Sequence, residues 1–242
     1  MNQEVGLDVI AVGAHPDDVE IACGGTLAKL ASQGYRVGII DLTDGEPTPG
    51  CDDPAKRIAE AMAAAQVLGV AVRKILPFPN RRLFDGFEVR TALATEFRRY
   101  RPKIVIGFGN KTPMASPDHH QAMMITEAAI FYSRLSKWEE HFEGLPVHSI
   151  PVSMYFHLAF EANPDLGFQS HLTVDISDQL EKKMEAIRCY ATQFPPSKQR
   201  VFERVRSTAI ACGTAAGFEA GESLASAKPL GCVDLMKTML PT

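Results

Sequence analysis

Leu7-Asp8-Val9-Ile10-Ala11-Val12-Gly13-Ala14-His15-Pro16-Asp17-Asp18-Val19-Glu20 is the stretch on which the reading of the fold turns. Residues 7–12 form an apolar, β-rich run, as expected of a strand buried on both faces. A Gly-Ala step then delivers one imidazole and two adjacent carboxylates, His15, Asp17 and Asp18, at the strand's C-terminal end. Open α/β sheets bind ligands just beyond their strand ends, so these side chains sit where chemistry is expected. Two neighbouring carboxylates divide their work sensibly if one binds a cation and the other accepts a proton.

Outward from this stretch, strand and helix patterns alternate. Leu27, Leu30 and Ala31 recur at helical spacing over 24–33, with Gly34 placed to cap the end. A second strand is expected over 35–42, an alanine-rich helix over 54–68 closed by Gly69, and a third strand over 70–76. A helix running to about Tyr100 precedes a strand over 104–108, and a further helix spans 119–133. Strands are expected at 150–160 and 171–176 and a helix at 177–193, while the remaining tail shows no clear pattern. Such alternation predicts a Rossmann-like α/β fold, a mostly parallel sheet flanked by helices, with the site at the C-terminal edge of the strands. The absence of a repeat or an interdomain linker predicts one domain over 1–242.

Composition narrows the function classes. Of 242 residues 45% are hydrophobic, ample for a core, and the net charge of -4 argues against nucleic acid or an anionic membrane as the main partner. No apolar run has the length of a membrane span, and the acidic start does not read as a signal peptide. Five scattered cysteines without a CxxC pair fit free thiols in a reducing cytoplasm. No GxGxxG follows the first strand and no GxSxG elbow is present, which disfavours dinucleotide binding and a serine nucleophile.

A hydrolytic metal site takes about three nitrogen or oxygen ligands and leaves one position for water. His15 and Asp18 face one space across a proline-containing turn, and His119, one loop beyond the 104–108 strand, is the best third ligand. This donor set suits Zn2+ best among common metals. A plainer reading stays open, in which the turn's Asp merely caps the next helix and Asp118-His119-His120 lies in solvent. Loops 43–54, 78–87 and 109–118 are natural pocket walls, where Asp44, Asn80 and Arg82 are candidate hydroxyl binders or structural residues. Trp138 is a candidate platform for a sugar ring or for another subunit.

Ala14-His15-Pro16-Asp17-Asp18-Val19-Glu20 with Gly24-Gly25-Thr26-Leu27 resembles the hallmark of the PIG-L/LmbE-like zinc-dependent N-deacetylases. Leu42-Thr43-Asp44-Gly45-Glu46, the helix from Arg57 to Leu68, Pro117-Asp118-His119, Val174-Asp175-Ile176-Ser177 and Gly221-Glu222 are similar too. The resemblance implies that His15, Asp18 and His119 hold zinc, that Asp17 is the general base, and that Arg57 contacts substrate. It implies removal of an N-acetyl group from an N-acetylglucosamine-type sugar or conjugate, and a homo-oligomer, trimer or hexamer. The family's second motif usually begins with histidine, where this chain has Ser116. A hydroxyl donates one hydrogen bond but is no imidazolium, so oxyanion stabilisation there weakens unless His120 compensates. An amidase on a non-sugar or thiol-conjugate amide, or a metal- or sugar-binding protein with weakened catalysis, are the alternatives.

Overall fold

The computed structural model describes residues 6–158, 170–226 and 228–234, together with positions 236 and 238. Its strands are β1 (Val9–Gly13), β2 (Val37–Thr43), β3 (Val72–Phe78), β4 (Ile104–Phe108), β5 (Val152–Phe156), β6 (Ser170–Asp175) and β7 (Gly221–Ser226). Its helices are α1 (Asp18–Ser32), α2 (Pro54–Leu68), α3 (Phe87–Tyr100), α4 (Asp118–Tyr132), α5 (Leu180–Arg188) and α6 (Gln199–Ala215). One seven-stranded sheet runs in the order β3-β2-β1-β4-β5-β7-β6. β1 to β5 pair in parallel, with Ala11 beside Ile39 on one side and Ile106 on the other. β7 is antiparallel to both its neighbours. The expected mostly parallel α/β sheet is therefore present.

Local chemistry explains the well-read elements. β1 and β2 are buried along their whole length, which is why their sequence is continuous rather than alternating. α2 starts where Asp53 accepts the Ala55 N–H at 2.9 Å, carries Pro54 in its first turn, and ends at Gly69 in the left-handed region. The core is formed by the apolar faces of β1, β2 and β4 against α1, α3 and α4, with Ile10, Leu27, Ile39, Phe97 and Ile125 fully enclosed.

Several boundaries differ from the sequence reading. The first helix begins at Asp18, six residues earlier than expected, and is broken at Cys23 (φ -136°, ψ 23°). Across this break the amides of Gly25 and Thr26 donate to Glu222 at 2.9 and 2.6 Å, and Lys183 donates to the same carboxylate at 2.5 Å. Gly25 is required there, since a Cβ would lie 2.6 Å from Ile176. The helix expected to reach 193 ends at Arg188, because Thr192 turns aside to bond Glu60 through its amide and hydroxyl. α6 and β7 were not anticipated in the tail. The expected 150–160 strand is shorter, and its last two positions lie outside the described residues.

Candidate metal centre

The sheet order reverses between β1 and β4, which leave their shared border in opposite directions. Ligand sites of open α/β sheets form at such a switch point, beyond the strand ends. β1 delivers His15 and Asp18 to it, and the loop after β4 leads into α4, whose second residue is His119.

The turn after β1 is tightly specified. Asp17 occupies the left-handed region (φ 111°), and its side chain makes no helix cap. The plainer reading of the Asp pair as a helix cap therefore does not describe this turn. Asp18 instead accepts the amides of Ala14 and His15 through Oδ2, at 3.0 and 2.9 Å. The same carboxylate lies 3.4 Å from His15 Nδ1 and 3.4 Å from His119 Nε2. His15 Nε2 lies 3.2 Å from Asp118, which also accepts the Arg81 amide at 2.6 Å. His119 stacks on Phe108 with centroids 4.8 Å apart.

One donor atom each from His15, Asp18 and His119 lie within 4.8 Å of one another, so the three could hold a metal ion. Ligands about 2.1 Å from a tetrahedral zinc stand roughly 3.4 Å apart, so the observed imidazole–carboxylate contacts have the right scale. The chemistry fits as well: two imidazoles and one carboxylate, with a further carboxylate, Asp118, orienting the first imidazole.

Electrostatics separate the two aspartates. Burial opposes ionisation of Asp18, but His119 and His15 hold its carboxyl well below the usual range. Burial pushes Asp17 up to about 7, against the pull of Arg57. Burial also works against a charge on His15, yet Asp118 and Asp18 outweigh it and raise the imidazole to about 10. Arg57 is 2% exposed, donates to Asp17 Oδ2 at 3.0 Å and to the Pro16 carbonyl, and lies 5.1 Å over the Tyr190 ring.

A cavity of about 250 Å³ opens beside these groups. Of the residues singled out from sequence, His15, Asp17, Asp18, Arg57, Asn80, Ser116 and His119 line it. Asp44, Arg82, His120 and Trp138 are not among its lining residues. Asp44 instead accepts the Glu46 amide at 2.9 Å, closing its own turn. His120 is one residue along α4 from His119 and so is rotated by a fraction of a turn away from it. Trp138 packs beside Phe87 and His141, at 6.2 and 5.3 Å. Ser116 Oγ accepts the Asp118 amide at 3.3 Å.

Gln193, Phe194 and Leu158 also line the cavity and were not singled out from sequence, and so does Arg81, although Arg81-Arg82 reads from sequence as a solvated loop with substrate contact only as the second option. Asp118 was missed as well, although a carboxylate beside a ligand histidine is itself a signal. Gln193 and Phe194 had no local signal, because they arrive from the far end of the chain.

The family model described as PIG-L, GlcNAc-PI de-N-acetylase, matches residues 10–130. Diacetylchitobiose deacetylase of Thermococcus kodakarensis is 29% identical over 226 residues, covering 89% of this chain and 81% of that protein. The 4-oxalmesaconate hydratase of Pseudomonas putida is 30% identical over 202 residues, covering 76% of this chain and 73% of that protein. Among solved structures, N,N'-diacetylchitobiose deacetylase from Pyrococcus horikoshii with its inhibitor MPG has a TM-score of 0.77 at 26% identity, covering 90% of this chain and 82% of that one.

Proposed function

This chain belongs to the PIG-L family, and from that premise we propose that it is a zinc-dependent hydrolase removing the acetyl group from an N-acetylglucosamine-type sugar or conjugate. The observation that carries this reading is the His15, Asp18 and His119 cluster with Asp17 left outside the ligand set. The names of two similar proteins, both diacetylchitobiose deacetylases, support the substrate class.

His15, Asp18 and His119 would hold the cation. Zinc bound there supplies Lewis acidity, making water a better nucleophile near neutral pH and polarising the acetamide carbonyl. Asp17 would take the proton from water as its oxygen attacks the carbonyl carbon. As the C–N bond breaks, Asp17 returns that proton to the leaving nitrogen, giving acetate and a primary amine. Arg57 fixes the Asp17 carboxylate through its 3.0 Å contact. Asp118 holds the tautomer and orientation of His15. Ser116 is the cavity-lining hydroxyl nearest in sequence to the ligand His119, and its single hydrogen bond is a weaker oxyanion donor than an imidazolium. Asn80 spends its amide N–H on the Gly45 carbonyl at 2.7 Å, leaving its oxygen to accept a substrate hydroxyl.

A second reading is addition of water to a carbon–carbon double bond, favoured by the 30% identity to a named hydratase. The same residues would serve it, since both reactions activate water and move one proton through Asp17. Acetate and amine release from a panel of acetylated amino sugars, run beside loss of ultraviolet absorbance from conjugated unsaturated acids, separates the two. Amine release alone is the result expected.

A further inference from the structure

We propose that the substrate taken by this cavity carries an anionic group, a carboxylate or a phosphate, and that Arg81 is the residue that selects it. The inference rests on the site described above being the reaction site. It goes beyond that reading by naming a charge on the substrate that an N-acetyl sugar does not itself have.

Arg81 lines the cavity together with Asp17, Asp18 and Arg57. Its guanidinium has no hydrogen-bond or ion-pair partner among the described residues, whereas Arg57 reaches Asp17 and the Pro16 carbonyl through one nitrogen and keeps its other two, Nε and Nη1, buried without a partner. An arginine that is always charged, planar and unpaired at a pocket wall is suited to bidentate capture of a carboxylate or phosphate.

The backbone at Arg81 is fixed rather than loose. Arg81 lies in the left-handed region (φ 62°), where a glycine would be cheaper, and its N–H donates to Asp118 at 2.6 Å. Asp118 in turn contacts His15, so the arginine is tied through one carboxylate to the proposed metal ligand. On its other side, Asn80 is pinned to the Gly45 carbonyl at 2.7 Å. Both anchors fix the backbone from which the exposed Arg81 side chain meets the cavity, which is what a specificity contact needs.

Charge balance points the same way. The ionised side chains lining the cavity are Asp17 and Asp18 against Arg57 and Arg81, apart from the histidines. A dication held by the ligand set leaves the cavity net positive, even with Asp118 counted behind His15. Such a cavity favours an anion over a neutral sugar. Arg82, the neighbour singled out from sequence, does not line it.

The test compares the zinc-loaded wild type with Arg81→Gln and Arg81→Lys. Three acetylated glucosamines serve as substrates: a neutral methyl glycoside, one whose aglycone ends in a carboxylate, and the 1-phosphate. In the wild type, KM for one of the two anionic substrates should lie about tenfold below that for the neutral one, the scale of one charge-assisted contact. Arg81→Gln should erase that gap through KM with kcat little changed, and Arg81→Lys should keep most of it. Which anionic substrate responds identifies carboxylate or phosphate as the group read. Equal KM values across the wild-type panel, or an equal loss on all three substrates in Arg81→Gln, would overturn the proposal. Calorimetry of succinate and of inorganic phosphate binding gives a readout without turnover. Weaker binding of either by Arg81→Gln supports the proposal, even if no substrate is deacetylated and the deacetylase reading fails. Indistinguishable binding of both by wild type and Arg81→Gln sinks it, whatever the enzyme turns over.

Discussion

The two ends of the chain contribute to one site in different ways. From β1 to α4, each site residue follows directly from the strand or loop that carries it: His15 and Asp18 after β1, Arg57 on α2, His119 on α4. From α5 onward, the chain sends support rather than ligands. Glu222 and Lys183 brace the broken α1, Tyr190 lies under Arg57 and donates to Glu20 at 2.8 Å, and Gln193 and Phe194 close the cavity wall. The family match follows the same division, ending at residue 130. Chemistry here is local to the parallel half of the sheet, and the bracing is long-range.

That contrast can be broken from either side. The largest effect is expected in the first region. Asp17→Asn should lose about a hundred- to ten-thousandfold in turnover, the usual worth of a general base, with folding stability nearly intact. Steady-state kinetics beside a denaturation curve reads both; retained turnover would remove Asp17 from its role.

In the second region the expected loss is stability instead. Lys183 and Glu222 have side chains 1% and 3% exposed, and Glu222→Ala would strand a buried ammonium. Breaking such a pair costs about 3–5 kcal/mol, read as a lower urea midpoint. Metal stoichiometry of the folded fraction should not change. Loss of metal at full stability would erase the division drawn here.

A smaller, graded effect concerns protons at the ligands. In the metal-free site His15 is raised to about 10, so it carries a proton at neutral pH that an entering cation displaces. Proton release on binding means that affinity grows as pH rises, by about tenfold per unit for one displaced proton. Calorimetric titrations in buffers of differing ionisation enthalpy measure that proton count directly. The smallest effect belongs to a first-region residue remote from the chemistry. Asp53→Ala removes the α2 cap and should cost about 1 kcal/mol in stability with kinetic constants unchanged.

The same division explains what could be read from the sequence. β4 and α2 were legible to the residue, because their signals are local: an apolar run, a capping Asp-Pro, a closing glycine. The His15, Asp18 and His119 cluster was legible because strand ends converge in a parallel sheet. The break at Cys23 was not, since its freed amides are satisfied by Glu222, 197 positions from Gly25. β7 itself was hidden for a similar reason: Gly221-Glu222 has meaning only once it lies beside α1. Arg81 and Arg82 are alike in sequence, and only the folded chain, with Arg81 in the left-handed region, distinguishes the one that lines the cavity from the one that does not.

The central claim is that three side chains from two separate loops hold one cation while Asp17 stays free to move a proton. Elemental analysis of dialysed wild type, Asp17→Asn and His119→Ala tests it most directly. The account expects one zinc per chain in the first two proteins and none in the third. Full zinc in folded His119→Ala, or its loss from Asp17→Asn, would contradict it.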